Sequence, residues 1–445
     1  MNKEVKVVKK KRKLNWQKIF NLISFTFILA CIIFYGTRFI RLYLQNNKKE
    51  EIKVLADNIK DNNEGNLKNI NSDYYFTGKE VNNYVKYSNI LFRIIKINKD
   101  NSITLVSDKP ITSLAKGDNN DYKTTYINNW LNNQDKENTG ILEKNLNNPN
   151  KYLTYTNACN DKIDNTKNIT CKSTLADTLI TLPSLYDYIN TGDTKSFMNN
   201  ETYYYLLNTN KDNKTWYIND NGGVTTSDNT DILGIKPVIT LKSTNKLING
   251  DGTKDNPYTF EEEQSILGSY VKLGNDTWRV YDIDDNNLKL SLDNYLKINN
   301  EEITYKYSDK GYYHNDGKQG TLAYYLNKNY LSKLTYSSNI MEANYANGIY
   351  SNTTNYDYTK VLNKTIPTKV ATLSIGNIII NSDNTNYYLS TGVDTNSNLV
   401  YVMTNDFKLY TKNATSKLKI VPVITIDKKI LTSGDGSQNS PLEAK

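Results

Sequence analysis

Few residues in this chain can do covalent chemistry. A single histidine, His314, serves 445 residues, which removes the Ser-His and Cys-His systems that activate a nucleophile. Of the three cysteines, Cys159 and Cys171 are the two outside an apolar N-terminal run. They enclose a polar loop, and an even pair so placed predicts a disulfide. Zinc would need further ligands that one distant histidine does not supply. The stretch Asp282-x-Asp284-x-Asn286, with Asp293 at the twelfth place, imitates a calcium loop. Asn287 stands where glycine is required, however, and the last ligand is Asp instead of Glu. Metals, cofactors and catalytic residues are therefore not expected. What remains suits binding. Tyr204, Tyr205 and Trp216 offer rings to a sugar face, and Asn219 and Asp220 offer hydrogen bonds to hydroxyls. Strand aromatics of this kind also serve as core. Paired carboxylates for glycoside hydrolysis are set by space alone, and no acid stands out in the sequence.

These residues are carried by a duplicated unit. Tyr84-Val85-Lys86 with Phe92-Arg93-Ile94 returns 186 residues later as Tyr270-Val271-Lys272 with Trp278-Arg279-Val280. Each copy opens on a predicted hairpin: Phe92–Ile97 and Ser102–Val106 flank one polar turn, Trp278–Ile283 and Leu288–Leu292 another. Each copy also closes alike. Ile235-Lys236-Pro237-Val238-Ile239-Thr240-Leu241 matches Ile420-Val421-Pro422-Val423-Ile424-Thr425-Ile426, and Gly250-Asp251-Gly252 matches Gly434-Asp435-Gly436. Between them Trp130-Leu131-Asn132 pairs with Tyr325-Leu326-Asn327, Thr181-Leu182 with Thr372-Leu373, and Tyr204-Tyr205-Leu206 with Tyr387-Tyr388-Leu389. The order of elements reads as α+β, dominated by strands. It places a first domain at 72–260 and a diverged second copy at 264–445.

The net charge of +8 belongs to the N-terminus, where residues 1–50 carry twelve Lys and Arg against Glu4 and Glu50. The remaining chain is slightly acidic, so nucleic acid is not an expected partner. No charge interrupts 19–37, a length that predicts a transmembrane helix. The basic cluster Lys9-Lys10-Lys11-Arg12-Lys13 in the tail 1–18 puts that end in the cytoplasm and the body outside. A lipidated Cys31 is the alternative. Residues 38–71 read as a helical stem and linker, with Ile52, Leu55, Ala56 and Ile59 on one helix face.

The series Tyr84-Val85, Phe92-Arg93-Ile94, Trp130-Leu131-Asn132, Leu182-Pro183-Ser184, Tyr204-Tyr205-Leu206, Trp216-Tyr217-Ile218-Asn219-Asp220 and Ile235 to Leu241 resembles an uncharacterised domain family of bacterial surface proteins. That family is similar to the C-type-lectin-like fold also used by formylglycine-generating enzymes. The resemblance covers 72–260 well and 264–445 more loosely, where Trp130 becomes Tyr325 and Trp216 becomes Leu399. It implies two tandem lectin-like domains on the surface of a Gram-positive-like bacterium. It does not imply formylglycine chemistry, because no cysteine follows Cys171. The expected function is a membrane-anchored, extracellular binding or adhesion protein for a glycan, peptide or protein. A carboxylate-based, glycan-directed enzyme and a structural component of a surface assembly are the alternatives. A concave pocket at one place in both domains would separate these readings.

Overall fold

A computed structural model describes residues 54–444 except 118, 120, 133–136, 311–316, 352–355, 381–385 and 395–396, together with scattered positions between 17 and 38. Residues 53–445 form one compact unit and 1–52 another.

The expected transmembrane helix is not found. Among the described residues no helix is long and apolar enough to cross a membrane. Crossing needs an apolar helix of about 20 residues, and none of that length and hydropathy is found among the described residues. The membrane, single-pass and cell-surface reading built on that helix is withdrawn with it, as is the extracellular placement of the body. Most of 19–37, Cys31 included, lies outside the described residues.

The stem differs too. Helix α1 (Leu55–Asn62) buries Leu55, Ala56 and Ile59 of the predicted apolar face in the core of the first repeat, so that part of it is docked, and Ile52 lies outside the described residues. Strands β1 (Leu67–Ile70) and β2 (Asp73–Phe76) follow and join the main sheet, which places structured backbone ahead of residue 72. The opening hairpin is β3 (Tyr84–Tyr87) and β4 (Ile90–Ile97), closed by Ser88 and Asn89 at φ 51° and 56°. Positive φ at both central residues matches the twist of the strands they join. Strand β5 (Ile103–Ser107) completes the predicted pair. Short strands β6 (Ser113–Leu114) and β7 (Leu153–Thr154) bracket helices α2 (Tyr126–Leu131) and α3 (Ile141–Asn145). Helix α4 (Leu185–Asn190) precedes β8 (Tyr204–Thr209), β9 (Thr215–Ile218), β10 (Val224–Ser227), β11 (Leu233–Gly234) and β12 (Val238–Leu241). One sheet runs β1-β2-β4-β5-β12-β7 with β3 also on β4, and a second runs β10-β9-β8-β11-β6.

The second repeat rebuilds both sheets. Strands Tyr270–Leu273, Asp276–Asp284, Asn287–Leu292 and Pro422–Asp427 take the places of β3, β4, β5 and β12. Arg93 lies over the Tyr84 ring at 3.9 Å and 3.7 Å from Asp108, and Arg279 lies over Tyr270 at 4.0 Å and 3.6 Å from Asp293. Both arginines therefore pin a hairpin. The register also corrects the pairings read from sequence. Asn132 exchanges hydrogen bonds with the backbone of Ile180, and Asn327 does the same with Val370, so Thr181 corresponds to Ala371 and Ser184 to Ser374. Tyr205 faces Tyr217 as Tyr388 faces Val402, which makes Tyr401, not Leu399, the counterpart of Trp216.

The repeats are not beads on a string. Tyr350, Tyr358, Leu373, Ile375 and Met403 of the second copy belong to the hydrophobic cluster of the first. Trp130 donates from Nε1 to the Gly376 carbonyl at 2.8 Å, and the Tyr350 hydroxyl accepts from Ala115 N at 3.1 Å. Tyr203 N bonds Asp406 O at 2.7 Å, and Ile379 N bonds Ile111 O at 2.7 Å. The second copy also keeps a cluster of its own around Trp278 and Leu290.

Candidate functional site

A β-bulge sets the site. Strand β4 shifts register between Ile94 and Lys96, so that Lys96 pairs with Thr104. An extra residue of this kind re-aims the side chains beyond it. The next pairings extend a single row across the sheet: Tyr75 opposite Lys96, Lys96 opposite Thr104, Thr104 opposite Thr240, and Thr240 opposite Thr154. All five line a cleft of about 320 Å³. Asp73 and Asp187 enter from the sides, and Tyr155 and Tyr186 stand at its wall.

The charges in the cleft are arranged around Lys96. Its ammonium lies 3.3 Å from Asp73 and 3.7 Å from Asp187 and donates to the Tyr75 hydroxyl at 3.1 Å. Burial works against the charge, but Asp187 and Asp73 outweigh it and raise the Lys96 pKa. Burial, and after it the Asp187 charge, pushes the Tyr75 phenol far up, so Tyr75 stays a donor, giving its proton to Asp187 Oδ1 at 3.0 Å. The other Asp187 oxygen accepts from Ser184 at 2.6 Å. Ser184 in turn caps α4 by accepting from Asp187 N. The Ser-x-x-Asp spacing thus fixes a buried carboxylate at a helix start. Beside this ionic group runs a chain of hydroxyls: Asn98 to Thr104 at 3.0 Å, Thr104 to Thr240 at 3.3 Å, and Thr240 to Thr156 at 3.1 Å.

Cys159 and Cys171 are joined in a disulfide, as expected, with Cα atoms 5.6 Å apart, and both line the cleft. Asp161 ties down the same loop by accepting from Lys172 N at 2.7 Å and Ser173 Oγ at 2.8 Å. Burial pushes the Asp161 pKa up, but those bonds together outweigh it and hold the value below its ordinary range. Cys159, Asp161 and Cys171 are gathered closely enough to hold a metal ion. With the two sulfurs bonded to each other, no thiolate pair remains for one.

The corresponding place in the second repeat also forms a cleft, of about 250 Å³. The bulge recurs between Val280 and Asp282, and Asp282 pairs with Lys289 as Lys96 pairs with Thr104. Where β2 covers the edge of β4 in the first copy, α3 covers the second: Ile283 N donates to Asn145 Oδ1 at 2.8 Å, and Asn145 Nδ2 donates to Asp282 at 3.0 Å.

The residues chosen from sequence lie elsewhere. The Tyr204 and Tyr205 phenols are buried and donate to carbonyls, Tyr204 to Met198 at 3.1 Å and Tyr205 to Asp231 at 2.9 Å. Tyr388 repeats the Tyr205 arrangement with Asn413 and Ser416. Trp216 donates to the Ile163 carbonyl at 2.8 Å, and Asn219 closes the β9–β10 turn by accepting from Gly223 N at 2.6 Å. Asp220 is exposed on that turn. None of the five lines either cleft. In the calcium-like stretch, Asp282 is paired with Lys289 and Asp293 with Arg279. His314 lies outside the described residues. Lys96, Asp187, Tyr75 and the threonine row were missed because only strand pairing brings them together; the Ser184-x-x-Asp187 spacing was the one local signal. Compared with known protein families, characterised proteins and solved structures, the chain matches none.

Proposed function

We propose that the protein is a binding protein whose first-repeat cleft takes a small, neutral, polyhydroxylated ligand, such as one unit of a glycan. The row Tyr75-Lys96-Thr104-Thr240-Thr154 carries this reading. Lys96 directs its ammonium at Tyr75, Asp73 and Asp187, so it serves the wall and is not held ready for an anion. The other polar groups lining the space include hydroxyls and amides from Ser102, Thr104, Thr154, Thr156 and Asn157. Tyr155, 56% exposed, supplies a ring at the rim. Hydroxyl and amide donors with a ring beside them suit a sugar, whose edges hydrogen-bond while its face packs on aromatic carbon. The lectin-like character of the domains rests on the sequence resemblance alone. A glycan array and calorimetry with the full chain test the proposal. Binding that Thr240→Val weakens by about tenfold, roughly the worth of one hydrogen bond to a buried hydroxyl, is expected. A blank array at high protein concentration rejects it.

One observation favours an enzyme instead: Asp73 and Asp187 converge on a single ammonium inside a cleft. Two carboxylates flanking a glycosidic bond are the machinery of sugar hydrolysis. Here Lys96 occupies the space between them, and Tyr75 and Ser184 also donate to Asp187, so neither acid is left open to a leaving group. Turnover of a chromogenic glycoside, abolished by Asp187→Asn, would reverse the order of the two readings.

A further inference from the structure

We propose that the second cleft is a separate ligand site with the opposite charge preference, taking an anionic group, carboxylate or sulfate, on a small polar ligand. The register makes the comparison residue by residue. Lys96 is replaced by Asp282, Thr104 by Lys289, and Asp187 by Asn377, which accepts from Ser374 N at 2.8 Å in the position of the Ser184–Asp187 pair. The first cleft sets two carboxylates, Asp187 buried and Asp73 half-buried, around one ammonium; the second sets two ammoniums around one buried carboxylate.

The difference lies in what is left over. Asp282 accepts from Asn145 Nδ2 at 3.0 Å, from Ile283 N at 3.1 Å and from Lys289 Nζ at 2.8 Å, with Lys144 Nζ at 3.5 Å. Its oxygens are occupied by the protein. Burial opposes the Asp282 charge, but Lys289 and Lys144 outweigh it and lower its pKa. Each lysine makes one ion pair with Asp282, and both line the cleft. An ammonium has three protons to give, so each retains donors for a second oxygen. Lys144 is 40% exposed on its side chain, which leaves it free to swing toward a bound anion. Asn377, Asn344 and Thr372 add neutral donors and acceptors, and the exposed Glu137 is the one further acid among the described lining residues. Because Lys144 comes from α3 and Lys289 from the second repeat, the docked repeats make a site that neither copy holds alone.

The proposal does not depend on the first cleft binding anything. It is tested by calorimetry of the full chain with glucuronate, with glucose and with sodium sulfate. Glucuronate is expected to bind, more weakly as salt rises, and Lys144→Gln is expected to weaken it by about tenfold, as loss of one charge-assisted hydrogen bond does. Lys333→Gln, an exposed lysine away from the cleft, should leave it unchanged. Sulfate binding with the same sensitivity to Lys144→Gln supports an anion site open to a free inorganic ion, whereas glucuronate binding without sulfate binding supports one that also reads the sugar. Lys289→Gln is informative only alongside a melting curve, since it strips the nearest cation from a buried acid; Lys144→Gln keeps the test decisive. No binding of either anion at about 10 mM, or binding indifferent to Lys144→Gln, overturns the proposal. Glucose binding in that same experiment would leave the first-cleft reading standing.

Discussion

Lys96 is half-buried and Lys236 fully buried, and their surroundings treat them oppositely. Lys96 has two carboxylates, and removing it would leave Asp187 buried without its cation. Lys96→Met is therefore expected to cost about 3–5 kcal/mol in chemical denaturation, as broken buried pairs do. Lys236 lies over the Tyr204 ring at 4.8 Å, and burial lowers its pKa to about 7, with Asp108 opposing. Between that value and the ordinary lysine pKa, the unfolded chain binds the proton and the folded chain does not. Stability should accordingly rise with pH across that window. Lys116, lowered to about 8 by burial and then by Lys162, adds to the same slope. Urea titrations between about pH 7 and 9.5 should show the rise, and Lys236→Met should flatten it; a slope unchanged in the variant would refute the assignment. Neither lysine was legible as special in the sequence, because burial is decided by the sheets that close over them.

Hairpins, turns and the disulfide were readable, since each is set by residues near in sequence. The predicted hairpins, β4 with β5 and Asp276–Asp284 with Asn287–Leu292, fall where the polar turns put them. Gly250 and Gly434 close equivalent turns at φ 105° and 86°, and a Cβ at either would meet the carbonyl of Pro257 or Pro441. Gly250→Ala and Gly434→Ala should each lose about 1–3 kcal/mol, measured by thermal unfolding. The Cys159–Cys171 loop forms one wall of the first cleft, so Cys159→Ser is expected to cost about 3 kcal/mol by the loop-entropy argument and to weaken any ligand held there. Register between distant strands was less legible. Thr181 pairs with the place of Ala371, and Trp216 with that of Tyr401, each off from the sequence matching because apolar runs align equally well in neighbouring frames. The bulges that aim Lys96 and Asp282 are invisible in a run such as Ile94-Ile95-Lys96.

Duplication was plain from the sequence, but its consequence for the whole molecule was not, because a repeat read along the chain suggests independent domains. Instead Trp130 reaches Gly376, and Tyr350 enters the first core. Calorimetry of the chain should accordingly show one cooperative transition for residues 53–445, and a fragment beginning at 264 should fail to give a native-like near-ultraviolet signal; two separated transitions would contradict the shared core. The correction at the N-terminus belongs to this scale as well: among the described residues no helix is long and apolar enough to cross a membrane. The seam has a last effect. With Asn145 of one copy clasping the edge of the other and a common core beneath, the span between the two clefts is fixed as by a pair of calipers. If both clefts bind as proposed, a chain molecule carrying a neutral unit and an acidic one at that spacing would engage both at once, with the second contact made nearly free of translational loss. One with another spacing would engage a single cleft and leave quickly, so the fold would measure length as well as chemistry.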